Sequence, residues 1–329
     1  MTIPDILDGI TQLSALVVGD ICLDRWCRYD PATSEPSRET GIPRIGVVRT
    51  TITPGAAGTI AGNLTALLAK QVAVLGVIGN DGFGVELERA LIAREISPEL
   101  VVKSDTVPTF TYTKLINADT DEEDQPRVDF IYTRPMPPDV EDGILAHLRG
   151  FWAAFDVILV CDQAETEQGG IITPNIRDAI SELAAGDPKV VWVDSRMRSE
   201  HFRNVIIKTN LDEAAAACRR AFASDLDLDR LASHTDAKML VTTEGPRGAT
   251  YHHKGVSKHV PTRQIEKPVD ICGAGDSFSA GASLALTITG DPEQALRFGN
   301  MVSSITVMKK GTGIATPAEV LLAASSWPE

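Results

Sequence analysis

Short apolar runs recur along this chain, each followed by a stretch with helical spacing, and that rhythm constrains the fold most. Leu16-Val17-Val18 runs into Gly19-Asp20, and similar runs follow at Val72 to Gly79, Val157 to Cys161, Val190 to Val193, Val205 to Ile207 and Lys238 to Thr242. Pro54 to about Lys70, Gly84 to Arg94, Asn175 to Leu183, Leu211 to Phe222 and Leu226 to His234 read as helices. Strands buried on both faces appear as unbroken apolar runs, and alternation with helices closes them into a mostly parallel sheet. The spacing predicts an α/β chain: a three-layer α/β/α body around a central, mostly parallel sheet.

The rhythm breaks between Val107 and Tyr132. Thr109 to Ile116 alternates in polarity, Val128 to Tyr132 is β-prone, and the acidic stretch Asp119 to Pro126 lies between them. A hairpin outside the main layer is expected, joined by a strand over Val47–Ile52 into a small β-sheet lid. Asp30 to Thr40 reads as loop, and Ile21 to Trp26 as a mixed connection. The expected division gives the body residues 1–29, 53–106 and 134–329, and the lid residues 30–52 and 107–133. Tyr251 and Val256 to Val260 read as short outer strands. Two helices close the chain, from Gly275 to about Thr287 and from Pro292, capped by Asp291, to about Met308.

The formal net charge of −14 disfavours nucleic acid as a partner, because an acidic surface repels phosphate backbones. The five cysteines form no paired metal-type spacing, and reduced, buried thiols imply a reducing compartment. The first residues lack a signal-peptide pattern, and no apolar run is long enough to span a bilayer. The cytoplasm is therefore the expected location, with no membrane partner.

Asp270-Ile271-Cys272-Gly273-Ala274-Gly275-Asp276 carries the sharpest chemical signal. Its small residues leave backbone N–H groups uncovered just before an apolar helix, and such groups bind anions without a lysine. Phosphoryl transfer needs donors for the charge developing on the transferred group and a carboxylate to take the acceptor's proton. The expected roles are Asp276 as base and the Gly273, Ala274, Gly275 and Asp276 backbone as anion hole. The alternative is a tight turn with Asp276 as helix N-cap. G-x-x-x-x-G-K-[ST] and the protein-kinase H-R-D and D-F-G motifs are absent.

With these residues in view, nearly the whole chain resembles the ribokinase (PfkB) family of carbohydrate kinases, and within it the heptose-phosphate kinase branch, kinase part only. The resemblance implies a ribokinase-like body with a β lid, and use of ATP with Mg²⁺ and K⁺. Gly-Ala-Gly-Asp resembles the family's final signature, which makes Asp276 the base. Asp24 resembles the sugar-binding aspartate, and Pro54-Gly55-Ala56-Ala57-Gly58 the Gly-Gly motif beneath the sugar. Asn210-Leu211-Asp212-Glu213 resembles the N-x-x-E motif, through which Glu213 would act indirectly on Mg²⁺. Thr243, Gly245 and Gly248 resemble the turn near the nucleotide, and Gly311-Thr312-Gly313 the loop beside adenine. Asp270 would belong to the monovalent cation site. Asp162 and Asp194-Ser195-Arg196 resemble strand-end positions of the heptose-phosphate branch, Asp162 as a substrate residue.

The sequence departs from that pattern in places. Ala56 stands where the second glycine is usual, and Thr59 where an asparagine meets the sugar. Cys272 replaces a usual threonine, and Gln168 stands at a lysine position, which weakens the reading of a phosphorylated sugar. The resemblance implies ATP-dependent phosphorylation of a hydroxyl on a sugar or sugar phosphate. A nucleoside kinase of the same family and a non-catalytic sugar-binding protein on this fold are the alternatives. A homodimer clasped through the lids is expected, since pairing covers open sheet edges. Trp26 is a candidate wall of the substrate site, and Arg196 is either a phosphate contact or a surface cation. His252, His253 and His259 lack metal-ligand spacing, and the Asp119–Asp124 cluster reads as a solvated loop.

Overall fold

The computed structural model describes residues 1–164, 166 and 168–327. Its main sheet has nine strands. In spatial order they are Val256–Pro261, Gly248–His253, Met239–Thr243, Ile206–Asn210, Val190–Ser195, Val157–Asp162, Ser14–Gly19, Gln71–Leu75 and Ile96–Ser97. All pairs are parallel except the two involving Gly248–His253, which are antiparallel.

Alternation within the buried strands builds two cores. Ala15 and Val17 pack with Val157, Leu159 and Trp192 on one face, against the helices Ile3–Ile10, Ala57–Ala66, Ala274–Thr289 and Pro292–Thr306. Leu16 and Val18 pack with Ile158, Val160, Val191 and Val193 on the other, against Pro138–Phe151, Pro174–Ala185 and Leu211–Phe222. This is the three-layer body that the apolar runs predict.

The small sheet has the order Val47–Ala56, Ile21–Tyr29, Thr111–Asn117 and Val128–Phe130. The expected hairpin is present, with Thr111 paired to Phe130. The expected boundaries need correction. Ile21–Tyr29, assigned to the body as a mixed connection, is a central strand of the small sheet, and residues 53–56 continue its edge strand. The alternation along Ile21–Tyr29 is masked because charged and aromatic residues face the cleft. Only Asp20 separates this strand from the body strand Ser14–Gly19, so the two sheets share a short joint.

Other differences are local. The helix expected from Pro54 begins at Ala57, after an Ala56 backbone with φ 51° and ψ −116°. The run Val72 to Gly79 splits at Gly76 into Gln71–Leu75 and Val77–Gly79, which pair in different sheets. The helices Ile3–Ile10, Pro138–Phe151 and Pro317–Ala324 were not anticipated, although Thr2 and Thr316 form capping boxes at the first and last of them.

Candidate active site

The parallel strands end on one side of the main sheet, and their C-terminal ends carry the polar residues. Asp20, Asp162, Asp194, Asn210 and Thr243 all lie there, with Asn210 paired directly to Thr243. The helix Ala274–Thr289 reaches the same edge with its N-terminus. Crevices at strand C-termini and helix N-termini are the usual ligand sites of open α/β sheets.

Gly273 is the N-cap of that helix, with φ 77° and ψ 8°. Asp276 stands three residues later, in the first turn, so it is not the cap. A Cβ on Gly273 would press on Thr59 Cγ2 at 3.2 Å and Thr312 Cγ2 at 3.3 Å, and its left-handed backbone also suits glycine. The Ala274 N–H turns back to the Ile271 carbonyl at 3.2 Å. The Gly275 and Asp276 N–H groups, which precede the helix's internal hydrogen bonds, are the ones positioned to serve an anion. The hole is thus narrower than the sequence suggests, because one of its amides closes the turn.

Asp276 opens into a cleft of about 340 Å³ between the two sheets. Loss of contact with bulk water pushes its carboxyl up to about 7; Asp194 and Asp24 push the same way, while Lys208 and Arg196 pull it down. A carboxylate with that proton affinity suits a base working near neutral pH. Asp24, Ala56, Thr59, Gly273 and Asp276 share this cleft, and so does Trp26. Burial raises Asp24 to about 6, against a weak bond from the Cys22 thiol at 3.7 Å. Gly55 lies beneath it: a Cβ there would come within 2.4 Å of Asp24 Oδ2. The Thr59 hydroxyl is buried and has no hydrogen-bond partner, which leaves it available to a ligand. Arg25, Lys114 and Arg127 from the lid and Arg196 from the body also line the cleft.

Asp162 is placed otherwise. It is fully buried and does not line the cleft. It accepts from Ser195 Oγ at 2.6 Å and from Arg198 at 3.0 Å. Arg198 in turn donates to the carbonyls of Thr166 and Gly169 at 2.9 and 3.1 Å. Asp20 accepts the N–H groups of Gln163, Ala164 and Ile171 at 2.8 to 2.9 Å. These groups shape the segment carrying Gln163 and Gly170, which line the cleft, so Asp162 acts on the wall through Arg198.

The residues expected near the nucleotide lie outside this cleft, along the strand ends. Asn210 and Glu213 form a reciprocal capping box, each bond 2.8 Å long, and burial raises the Glu213 carboxyl. Gly245 and Gly248 flank the turn after Met239–Thr243, and Thr243 donates to the Thr209 carbonyl at 3.3 Å. Asp270 accepts from Cys272 N–H at 2.9 Å and Gly311 N–H at 3.0 Å, joining the anion-hole loop to the loop Gly311–Gly313. Gly313 packs against the Thr306 carbonyl. Among the described residues, no group of three or more His, Cys, Asp or Glu side chains could hold a metal ion.

Sequence reasoning missed Lys208. Its ammonium is buried, 2.8 Å from Asp194 Oδ2, which Ser279 Oγ also reaches at 3.2 Å. A lysine inside an apolar strand is itself the signal, since buried lysines are rare unless paired.

Residues 171–319 match the model of the pfkB family carbohydrate kinases. The chain is 32% identical to the bifunctional protein HldE of Caulobacter vibrioides, over 95% of this chain and 64% of that protein. It is 30% identical to the Geobacter metallireducens HldE, over 94% of this chain and 62% of the relative. The chain thus spans less than two thirds of the length of these curated relatives. A ribokinase structure from Thermotoga maritima shares the fold, with a TM-score of 0.70, 19% identity and coverage of 95% of this chain and 100% of that one. No helix among the described residues is long and apolar enough to cross a membrane. Residues 171–319 thus carry a pfkB family carbohydrate kinase domain, in a chain that shares the fold of the ribokinase structure.

Proposed function

We propose that this protein transfers the terminal phosphoryl group of ATP to a hydroxyl of a sugar phosphate, with Asp276 as general base. The observation that carries the reading is a carboxyl raised to about 7 beside the first free amides of a helix, facing a cleft between two sheets. Asp24 and the unpaired Thr59 hydroxyl are suited to holding the acceptor's hydroxyls. Asp276 takes the proton of the reacting hydroxyl, and the Gly275 and Asp276 N–H groups stabilise charge on the transferred group.

The cations at the cleft favour a substrate that already bears a phosphate over a neutral sugar or nucleoside. Lys114 and Arg127 are the best placed of these, each held by a lid carboxylate, Glu123 at 3.6 Å and Asp129 at 2.7 Å. They offer a chemical replacement for the lysine that Gln168 displaces. The nucleotide belongs along Asn210, Thr243, Gly245, Gly248 and the loop Gly311–Gly313. Mg²⁺ would be held chiefly by phosphate oxygens and water, with Glu213 nearby, and supplies charge neutralisation. Asp270 has its two oxygens bonded to backbone N–H groups, and a monovalent ion would share one of them. We also propose a cytoplasmic enzyme that pairs through its lid, where Val47, Val48, Val128, Phe130 and Ile131 are exposed.

Asp276→Asn tests the base. It is expected to lower kcat about 10²- to 10⁴-fold while leaving thermal unfolding and substrate binding near wild type. The wild-type kcat/KM should fall as pH drops through about 7, because the base must be ionised. An unchanged kcat in the variant would remove Asp276 from this role.

A further inference from the structure

Behind the lid, a groove of about 550 Å³ runs between the small sheet and the helix Gly82–Ile92. Strand register builds its lid wall. Arg25 pairs with Ile52 and Cys27 with Thr50, so these side chains share the face turned away from Asp24 and Trp26. Arg25 also lines the cleft. On the helix, Glu86, Arg89, Ala90 and Ala93 recur at intervals of three and four, which sets them on one side. Arg94 follows just past the helix end. The helix itself is anchored, with Leu87 and Leu91 in the main core.

The three guanidiniums of Arg25, Arg89 and Arg94 thus meet one carboxylate, in a chain whose net charge is −14. Glu86 does not neutralise them. Its Oε2 lies 3.9 Å from Arg25 Nε, and both atoms are buried without a hydrogen bond. Arg25 rests on the Phe83 ring, 4.7 Å from its centroid, which holds it at the groove. Arg94 donates to the Ala90 carbonyl at 3.1 Å, and burial lowers its proton affinity. Among the described residues, neither Arg89 nor Arg94 has an ion-pair partner. The negative end of a helix dipole accounts for arginines in its last turn. It does not account for a third brought across from the lid.

We propose that this groove is a second anion site, which takes a small organic phosphate and ties the lid to the body. Guanidinium forks match phosphate oxygens two at a time, and several converging forks suit a dianion better than a single charge. Thr50 adds a hydroxyl, while Ile52, Ala90 and Ala93 offer an apolar wall to the organic part. A ligand gripped from both walls cross-links a lid strand to a fixed helix on the side away from the cleft. It steadies Asp24, the residue before Arg25, without entering the cleft. The site stands or falls independently of the kinase reading.

The test is titration calorimetry with phenyl phosphate, benzoate and phenol on the wild type, Arg89→Gln/Arg94→Gln and Glu86→Gln. Phenyl phosphate should bind the wild type more tightly than benzoate, and phenol should not bind. The double variant should weaken phenyl phosphate by roughly ten- to hundredfold. Glu86→Gln should tighten it several-fold, an opposite change that a merely damaged fold would not produce. Hydrogen exchange locates the probe: residues 47–56 and 82–94 of the wild type should exchange more slowly when it is bound. Unchanged affinity in both variants, or protection confined to residues 270–276 of the cleft, would overturn the site. Benzoate binding as tightly as phenyl phosphate would overturn the preference for a dianion.

Discussion

The two sheets of this protein are built from similar backbone but meet water differently. In the main sheet, residues 15–19 and 157–162 are buried along their whole length. In the lid, Val47 and Val48 are 46% and 61% exposed, and burial along their strand begins only near its end, at Pro54 and Gly55. The body buries Asp194 and Lys208 and presents Asp276 to the cleft from the first turn of a buried helix. The lid brings Asp24, Lys114 and Arg127 to the cleft, its central strand buries Leu23, Cys27 and Tyr29 on the opposite face, and only its edge is open to water. The proposed base thus lies with the buried body, and the proposed sugar- and phosphate-binding groups with the sheet whose edge is open to water.

That contrast is open to direct tests. Trp192 is fully buried and meets Phe278 of the Asp276 helix with ring centroids 6.3 Å apart. Trp192→Ala should destabilise the protein by about 3–5 kcal/mol, measured by denaturant unfolding, and lower kcat as the helix loses its support. On the lid, Asp24→Asn should raise the sugar KM roughly tenfold or more with a smaller change in kcat. The wild-type KM should rise as pH falls through about 6, where Asp24 gains its proton, and the variant should lose that dependence. At the joint between lid strand and body helix, Ala56→Gly should stabilise the fold by about 1 kcal/mol, because Ala56 holds a positive φ that glycine adopts freely. The smallest effect is expected at Val48→Ser, within about 0.5 kcal/mol for the monomer. A loss of dimer mass in that variant at micromolar concentration would support lid pairing, and a loss of several kcal/mol would erase the contrast between the sheets.

The same contrast explains what could be read in the chain. Val157–Cys161 and Val190–Val193 are legible because both of their faces are buried and every residue is apolar. Ile21–Tyr29 is not, because Asp24 and Trp26 face a cleft and Arg25 packs on Phe83 of a helix behind it, neither of which has a trace in local sequence. Gly-Ala-Gly-Asp announces a helix start with uncovered amides, but the turn that engages Ala274 depends on Ile271. Asp162 carries no local mark of burial; its partners Ser195 and Arg198 lie 33 and 36 residues away. Lys208 was legible in principle, as a charge inside an apolar run.

By itself the sequence determined the layered α/β body, the strand ends that bear polar groups and the helix start that presents Asp276, since each follows from local periodicity and small residues. Tertiary structure alone decided which carboxylates share the cleft, which one is buried behind it, and how far Asp276 departs from an ordinary carboxyl. Those outcomes depend on desolvation and on charges brought from distant strands, such as Asp194 and Lys208, whose separation exists only once the sheet is assembled.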